Sequence, residues 1–109
     1  STNEIPIGTW IDGKTIYRKV FVITDTLTKN TPISKYTGYK KGDITNIVKL
    51  SGMLTRSEIG FFYPIPKEDV ELYITKTSGT VEEYDLRLST TDIGGYSGFT
   101  IYVVLEVTK

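Results

Sequence analysis

The chain has no cysteine and no histidine among its 109 residues. Disulfides are thereby excluded, as are zinc centres of the usual Cys/His kind, thiol nucleophiles and Ser-His-Asp triads. Alanine, the best helix former, is missing too, whereas Thr, Ile and Val abound and aromatic residues make up 12% of the chain, a composition tilted toward strands. Neither sign of charge is in excess: 13 basic side chains stand against 13 acidic ones. Charge runs go no further than the pairs Arg18-Lys19, Lys40-Lys41, Glu68-Asp69 and Glu82-Glu83. Long-range attraction to nucleic acid or anionic lipid is not indicated. No apolar run approaches the ~18 residues of a spanning helix, so no membrane insertion is expected, and no signal-peptide pattern opens the chain. It begins at Ser1 instead of Met and reads as a piece of something longer. Its length gives room for one domain, burying roughly two-thirds of the surface the unfolded chain exposes.

What is present is period two. From Phe99 to Val107 every odd position is apolar, with Thr100, Tyr102, Val104 and Glu106 between, the mark of a strand with one face in a core. Asp12-Gly13, set between Thr9-Trp10-Ile11 and Lys14-Thr15-Ile16-Tyr17, predicts a hairpin with a type I′ turn. Its second arm runs to about Thr24 with apolar residues on both faces, Ile16, Val20 and Val22 on one and Tyr17, Phe21 and Ile23 on the other. Such a strand is covered on two sides, in one reading by a neighbouring subunit. Arg18 and Lys19, mid-strand, are expected to keep their charges wet while their stems lie over apolar surface. Residues 25–43 read as a loop enclosing one short strand, and Ile44–Leu54 as a strand interrupted by a bulge or bend at Ser51-Gly52. The prolines of Phe61-Phe62-Tyr63-Pro64-Ile65-Pro66 confine that stretch to an edge or a crossing. Val70–Thr75 and Val81–Leu88 form a second hairpin, with Val70, Leu72 and Ile74 inward beside Tyr84, Leu86 and Leu88. Thr90–Gly98 then delivers the last strand. Some six to eight strands separated by turns predict an all-β fold, an antiparallel β-sandwich with the jelly roll as one form of it, in preference to a closed barrel.

Catalysis is poorly equipped. A glycosidase needs two carboxylates facing each other across about 5 to 9.5 Å, and adjacent Glu82 and Glu83 point to opposite faces of a strand. No enzyme is expected. Asp12, Asp25, Asp43, Asp85 and Asp92 are scattered where a hard cation needs ligands converging from one loop, and no phosphate-cradling glycine motif occurs; no metal and no cofactor are expected. Binding is the stronger class, since eight tyrosines and one tryptophan supply rings with an apolar face and a polar end, suited to sugar faces or to another protein. Tyr36 and Tyr39 flank Gly38 in the polar loop, and Tyr96 lies among the glycines of the last loop. These three are the candidate ligand-binding residues, because recognition side chains concentrate on loops carried by a rigid scaffold. Core packing is the alternative for each. Trp10, Asp12, Gly13 and Tyr17 are assigned to structure, as hairpin anchors or subunit contacts.

The order of segments carries a resemblance. Gly8-Thr9-Trp10-Ile11-Asp12-Gly13-Lys14 leading into Ile16-Tyr17-Arg18-Lys19 resembles the opening of a domain found at the C-terminal end of phage and prophage tail-fibre and baseplate proteins. Ile44–Gly52 is similar to that family's "I-x-N-I-V-K-hydrophobic-S-G" strand, Pro64-Ile65-Pro66 to its "P-I-P" crossing, and Tyr96 through Lys109 to its closing strand. The chain departs from the pattern at Thr15, where Pro is common, and at Val107, where Tyr is. The resemblance implies a phage-type structural or receptor-recognition module, located on the virion or outside the cell and assembled as a homo-oligomer, most often a trimer; together with the loop tyrosines it leads to the expectation of a terminal tail-fibre module attached to a host-surface glycan. It implies no catalytic or ligand-contacting residue set. A purely structural cap of the fibre and a carbohydrate-binding accessory module of a secreted bacterial enzyme are the alternatives.

Overall fold

Eight strands make the fold in the computed structural model, which describes residues 4–109. They are β1 (Ile5–Thr9), β2 (Thr15–Ile23), β3 (Ile33–Lys40), β4 (Asn46–Arg56), β5 (Phe61–Ile65), β6 (Val70–Lys76), β7 (Glu83–Thr90) and β8 (Thr100–Thr108), with one 3₁₀ turn at Ser57–Ile59. All pairings are antiparallel. A five-stranded sheet has the order β1-β2-β8-β4-β5 and a three-stranded sheet the order β3-β7-β6. The all-β, two-sheet sandwich expected from the sequence is what forms. β2 pairs with β8 in one layer while β3 pairs with β7 in the other, a nested wrapping shared with jelly rolls. β5 simply folds back on β4 as a hairpin.

Period two explains the core. Phe99, Ile101, Val103, Leu105 and Val107 are all buried; together with Leu54 of the neighbouring β4 they meet Leu86 and Leu88 of β7 and Val70 of β6 across the layers in one cluster. Each such side chain contributes about 1.5–3 kcal/mol when taken fully out of water. β8 lies at the middle of the larger sheet, bonded to β2 along one edge and β4 along the other. The second hairpin has the predicted facing, with Leu72 opposite Leu88 and Ile74 opposite Leu86. β5, with Pro64, is an edge strand as its prolines require,.

Four local expectations are corrected. The first hairpin does not use a type I′ turn. The N–H of Gly13 bonds to Trp10 O at 2.9 Å and that of Trp10 to Lys14 O at 2.8 Å, while Asn30 is the sole non-glycine with positive φ among the described residues. Asp12 therefore keeps an ordinary φ and Gly13 alone is left-handed at 85°: a three-residue loop of type I turn plus bulge. The carboxylate of Asp12 makes this favourable by accepting the N–H of Lys14 at 3.0 Å,. Second, β3 is eight residues long, not a short strand in a loop. Third, β4 runs unbroken through Ser51-Gly52, and its register shift falls instead between Ile47 and Lys49. Gly52 serves close approach: a Cβ there would lie 2.3 Å from Tyr102 O. Fourth, Lys19 is not wet but buried, on the inward face of β2.

Candidate functional site

The three candidate tyrosines do not meet in one place. Each belongs to a different part of the sandwich, and each has a different job.

Tyr39 faces inward from β3 and is buried. Its hydroxyl donates to Glu4 Oε2 at 2.8 Å, and the Lys19 ammonium sits 4.1 Å from its ring centroid while donating to Thr37 O at 2.8 Å. Glu4 also pairs with Lys109, whose ammonium lies 4.6 Å from the Tyr17 ring centroid. Burial, then the Glu4 hydrogen bond, push the Tyr39 hydroxyl well above the usual phenol range. Burial likewise pushes the Lys19 ammonium down against the raising effect of Glu4. Gly38, with φ of 88°, admits that ammonium, because a Cβ would stand 2.4 Å from Nζ. The cluster is a self-satisfied polar plug at one end of the core, joining Glu4 to the C-terminal Lys109. Tyr17 and Tyr39 work there as packing.

Tyr96 is half-buried where the last loop meets the β5–β6 connection. Its hydroxyl donates to Asp69 Oδ2 and accepts from Lys67 Nζ at 3.0 Å, and Lys67 also pairs with Asp69. The ring meets Phe99 edge-on at 5.5 Å and Tyr63 at 6.5 Å. The Lys67 hydrogen bond, then that of Tyr96, hold Asp69 below the usual carboxylate range. This cluster also satisfies itself, and it pins the loop by the backbone pair Leu27 with Tyr96.

Tyr36 is different. It projects from the outer face of the three-stranded sheet and is 44% exposed. Alternation puts Ser34, Tyr36 and Lys40 of β3, Glu83, Asp85, Arg87 and Ser89 of β7, and Glu71, Tyr73 and Thr75 of β6 on that one face,. Tyr36 stands opposite Asp85, and Tyr73, 37% exposed, opposite Arg87. Two strand spacings across and one two-residue step along place the Cα atoms of these tyrosines roughly 12 Å apart. Between them lie donors and acceptors in a row, Glu83, Asp85 and Arg87. Ser34 Oγ donates to Asp85 Oδ2 at 3.3 Å, and Arg87 Nε is buried without a hydrogen-bond partner among the described residues. Partial desolvation, then the neighbouring Glu83 carboxylate, hold the Tyr36 hydroxyl above its ordinary range, so it stays a donor. Exposed rings on either side of fixed polar groups can stack an apolar sugar face and hydrogen-bond its hydroxyls.

Tyr73 is not among the sequence candidates, although the pattern carries the signal: with Leu72 and Ile74 inward, the residue between them must point out. Trp10 is half-buried at the mouth of the first hairpin, and Asp12 and Gly13 shape its loop. Among the described residues no three potential ligands gather to hold a metal ion, and no helix is long and apolar enough to cross a membrane. Searches of protein-family models, curated proteins and solved structures return no match to this chain.

Proposed function

We propose that the chain is a non-catalytic terminal module of a phage-type or prophage-type tail fibre. It attaches to a host-surface glycan through the outer face of the three-stranded sheet, in an assembly of several copies of which three is the number its segment order implies. One observation carries this reading: Tyr36 and Tyr73, both exposed, flank the polar stripe Glu83, Asp85 and Arg87 on a single rigid sheet. Rings fixed on strands lose little freedom when a ligand stacks on them. The carboxylates of the face, Glu71, Glu83 and Asp85, outnumber its cations, Lys40 and Arg87, which favours neutral glycans over polyanionic wall polymers. The face is also open to water, which suits binding and not bond cleavage. Affinity of one face is weak and becomes useful when several are presented together.

Retention of the assembled protein on host cell walls and on glycan arrays tests the reading. Tyr36→Ala and Tyr73→Ala are each expected to weaken retention about tenfold, within the range of one stacked ring, and to leave the melting temperature unchanged. If the unaltered assembly is retained by no wall glycan, attachment is refuted and the structural cap takes its place. Retention indifferent to both substitutions would move the site off this face.

A further inference from the structure

The other broad face of the molecule is not polar. One outward row of the five-stranded sheet is apolar throughout: Val22 pairs with Tyr102, Tyr102 with Met53, and Met53 with Pro64, across four strands, while the flanking rows also hold Ser51, Thr55 and Thr100. Beside this row lie Val20 and Val104, paired with each other, and Phe62 opposite Thr55. Val22 is 51% exposed, Tyr102 42% and Phe62 58%. Ile5, opposite Arg18 on the edge strand, continues the surface. Among the described residues nothing covers Val22, Tyr102 and Phe62, since the three-stranded sheet lies on the opposite side. Isolated soluble domains rarely expose a contiguous apolar patch this broad.

We infer that this face packs against the same face of further copies of the chain. Two features select that occupant. The first is charge. Among the paired outward positions only Arg18, Lys49 and Glu106 are ionic, and they form one cross-strand row. Arg18 Nε and Nη2 both donate to Glu106 Oε2, at 3.0 and 2.9 Å, and Glu106 is only 7% exposed in the single chain. Glu106 stays partnered when the face is covered, and what covering costs is the partial desolvation of Arg18, whose side chain is 39% exposed. A charged ligand finds there no free partner except Lys49, whereas another such face brings apolar rows to apolar rows. The second feature is size. Five strands set about 4.8 Å apart, from five to eleven residues long, present on the order of 600 Å² in projection, more along the pleat. Stable association takes about 800 Å² from each partner. β8 is the central strand, so its outward Tyr102 and Val104 lie nearest the symmetry axis whether two copies or three gather. The inference is independent of the glycan reading and uses the opposite face.

Sedimentation and native mass spectrometry of the unaltered chain over a wide concentration range should show a dimer or trimer in equilibrium with monomer. Val22→Lys and Tyr102→Lys are each expected to weaken association about tenfold or more, through an unpaired charge in an apolar contact. Both positions face solvent in the single chain, so an unchanged circular dichroism spectrum checks the fold, and Tyr73→Lys on the other face should associate normally. The absence of cysteine allows a second test that needs no loss of association. A short bismaleimide should join copies of Tyr102→Cys but not of Tyr73→Cys. A chain monomeric at every concentration, association untouched by both lysine variants, or cross-linking through position 73 and not 102 would each overturn the inference. Loss of glycan retention with association intact would strike the binding reading alone.

Discussion

Lys19 is the residue whose surroundings are least expected. It alternates into the core between Tyr17 and Phe21, and its ammonium is held by a backbone carbonyl and a ring. Lys19→Met keeps the stem and removes the donor, leaving Thr37 O without its amine. A loss of about 1–2 kcal/mol is expected in urea unfolding. Asp69 sets a second test, through acid. Its carboxyl is held below its ordinary 3.8 by Lys67 and Tyr96, so the folded state favours the ionised form. That stability is present above pH 3.8 and is lost as pH falls through the lowered value. Glu4 acts in the same direction: burial alone would raise it, but the bonds from Lys109 and Tyr39 bring it below 4.5. The melting temperature should fall on acidification below about pH 4.5, and Asp69→Asn should flatten part of that fall. The effect of one partly exposed pair stays under about 1 kcal/mol.

At the scale of the strand, glycines separate two kinds of position. Gly52 has Tyr102 O where a side chain would go, whereas Gly8 has nothing within 4 Å. Gly52→Ala must push β4 and β8 apart and should cost roughly 2 kcal/mol or more, measured by denaturant unfolding. Gly8→Ala should change stability by less than about 0.5 kcal/mol. Elements were legible where one face was cleanly apolar. β8 and the β6–β7 hairpin could be read residue by residue, because Val, Leu and Ile alternate there with polar side chains. β3 could not, since its inward positions include Lys35 and Thr37 and its middle holds Gly38, so polar chemistry hid a strand that its pairing with β7 secures. Asp12-Gly13 marks the turn's place in the chain but not its type, because Asp-Gly also suits a bulged three-residue loop when the carboxylate caps the N–H of Lys14. Of the two exposed tyrosines on the proposed face, the sequence singles out Tyr36 and not Tyr73. Tyr39 and Tyr96 looked like loop residues only because the partners that absorb them, Glu4 and Asp69, are 35 and 27 positions away.

Across the whole molecule the two broad faces differ in kind, one apolar and nearly neutral, the other polar with two exposed rings. On the reading proposed above, such a division would let assembly and recognition proceed on opposite sides without competing for surface. The core between them is held by contacts far apart in sequence, Ile16 with Thr108 and Ile23 with Ile101 among them. A domain dominated by such pairings folds in milliseconds to seconds. Stopped-flow refolding followed through Trp10, the one tryptophan, should fall in that range, and a microsecond phase carrying most of the amplitude would contradict it.

β8 occupies the middle of the larger sheet yet follows every other strand in the chain. A ribosome that has not yet released Thr100–Thr108 therefore holds a nascent polypeptide whose β2 and β4 are neighbours of a gap, each with an open edge and no strand to close it. Protection of those edges, by a chaperone or by copies being made nearby, has to last until Thr100–Thr108 has emerged to fill the gap.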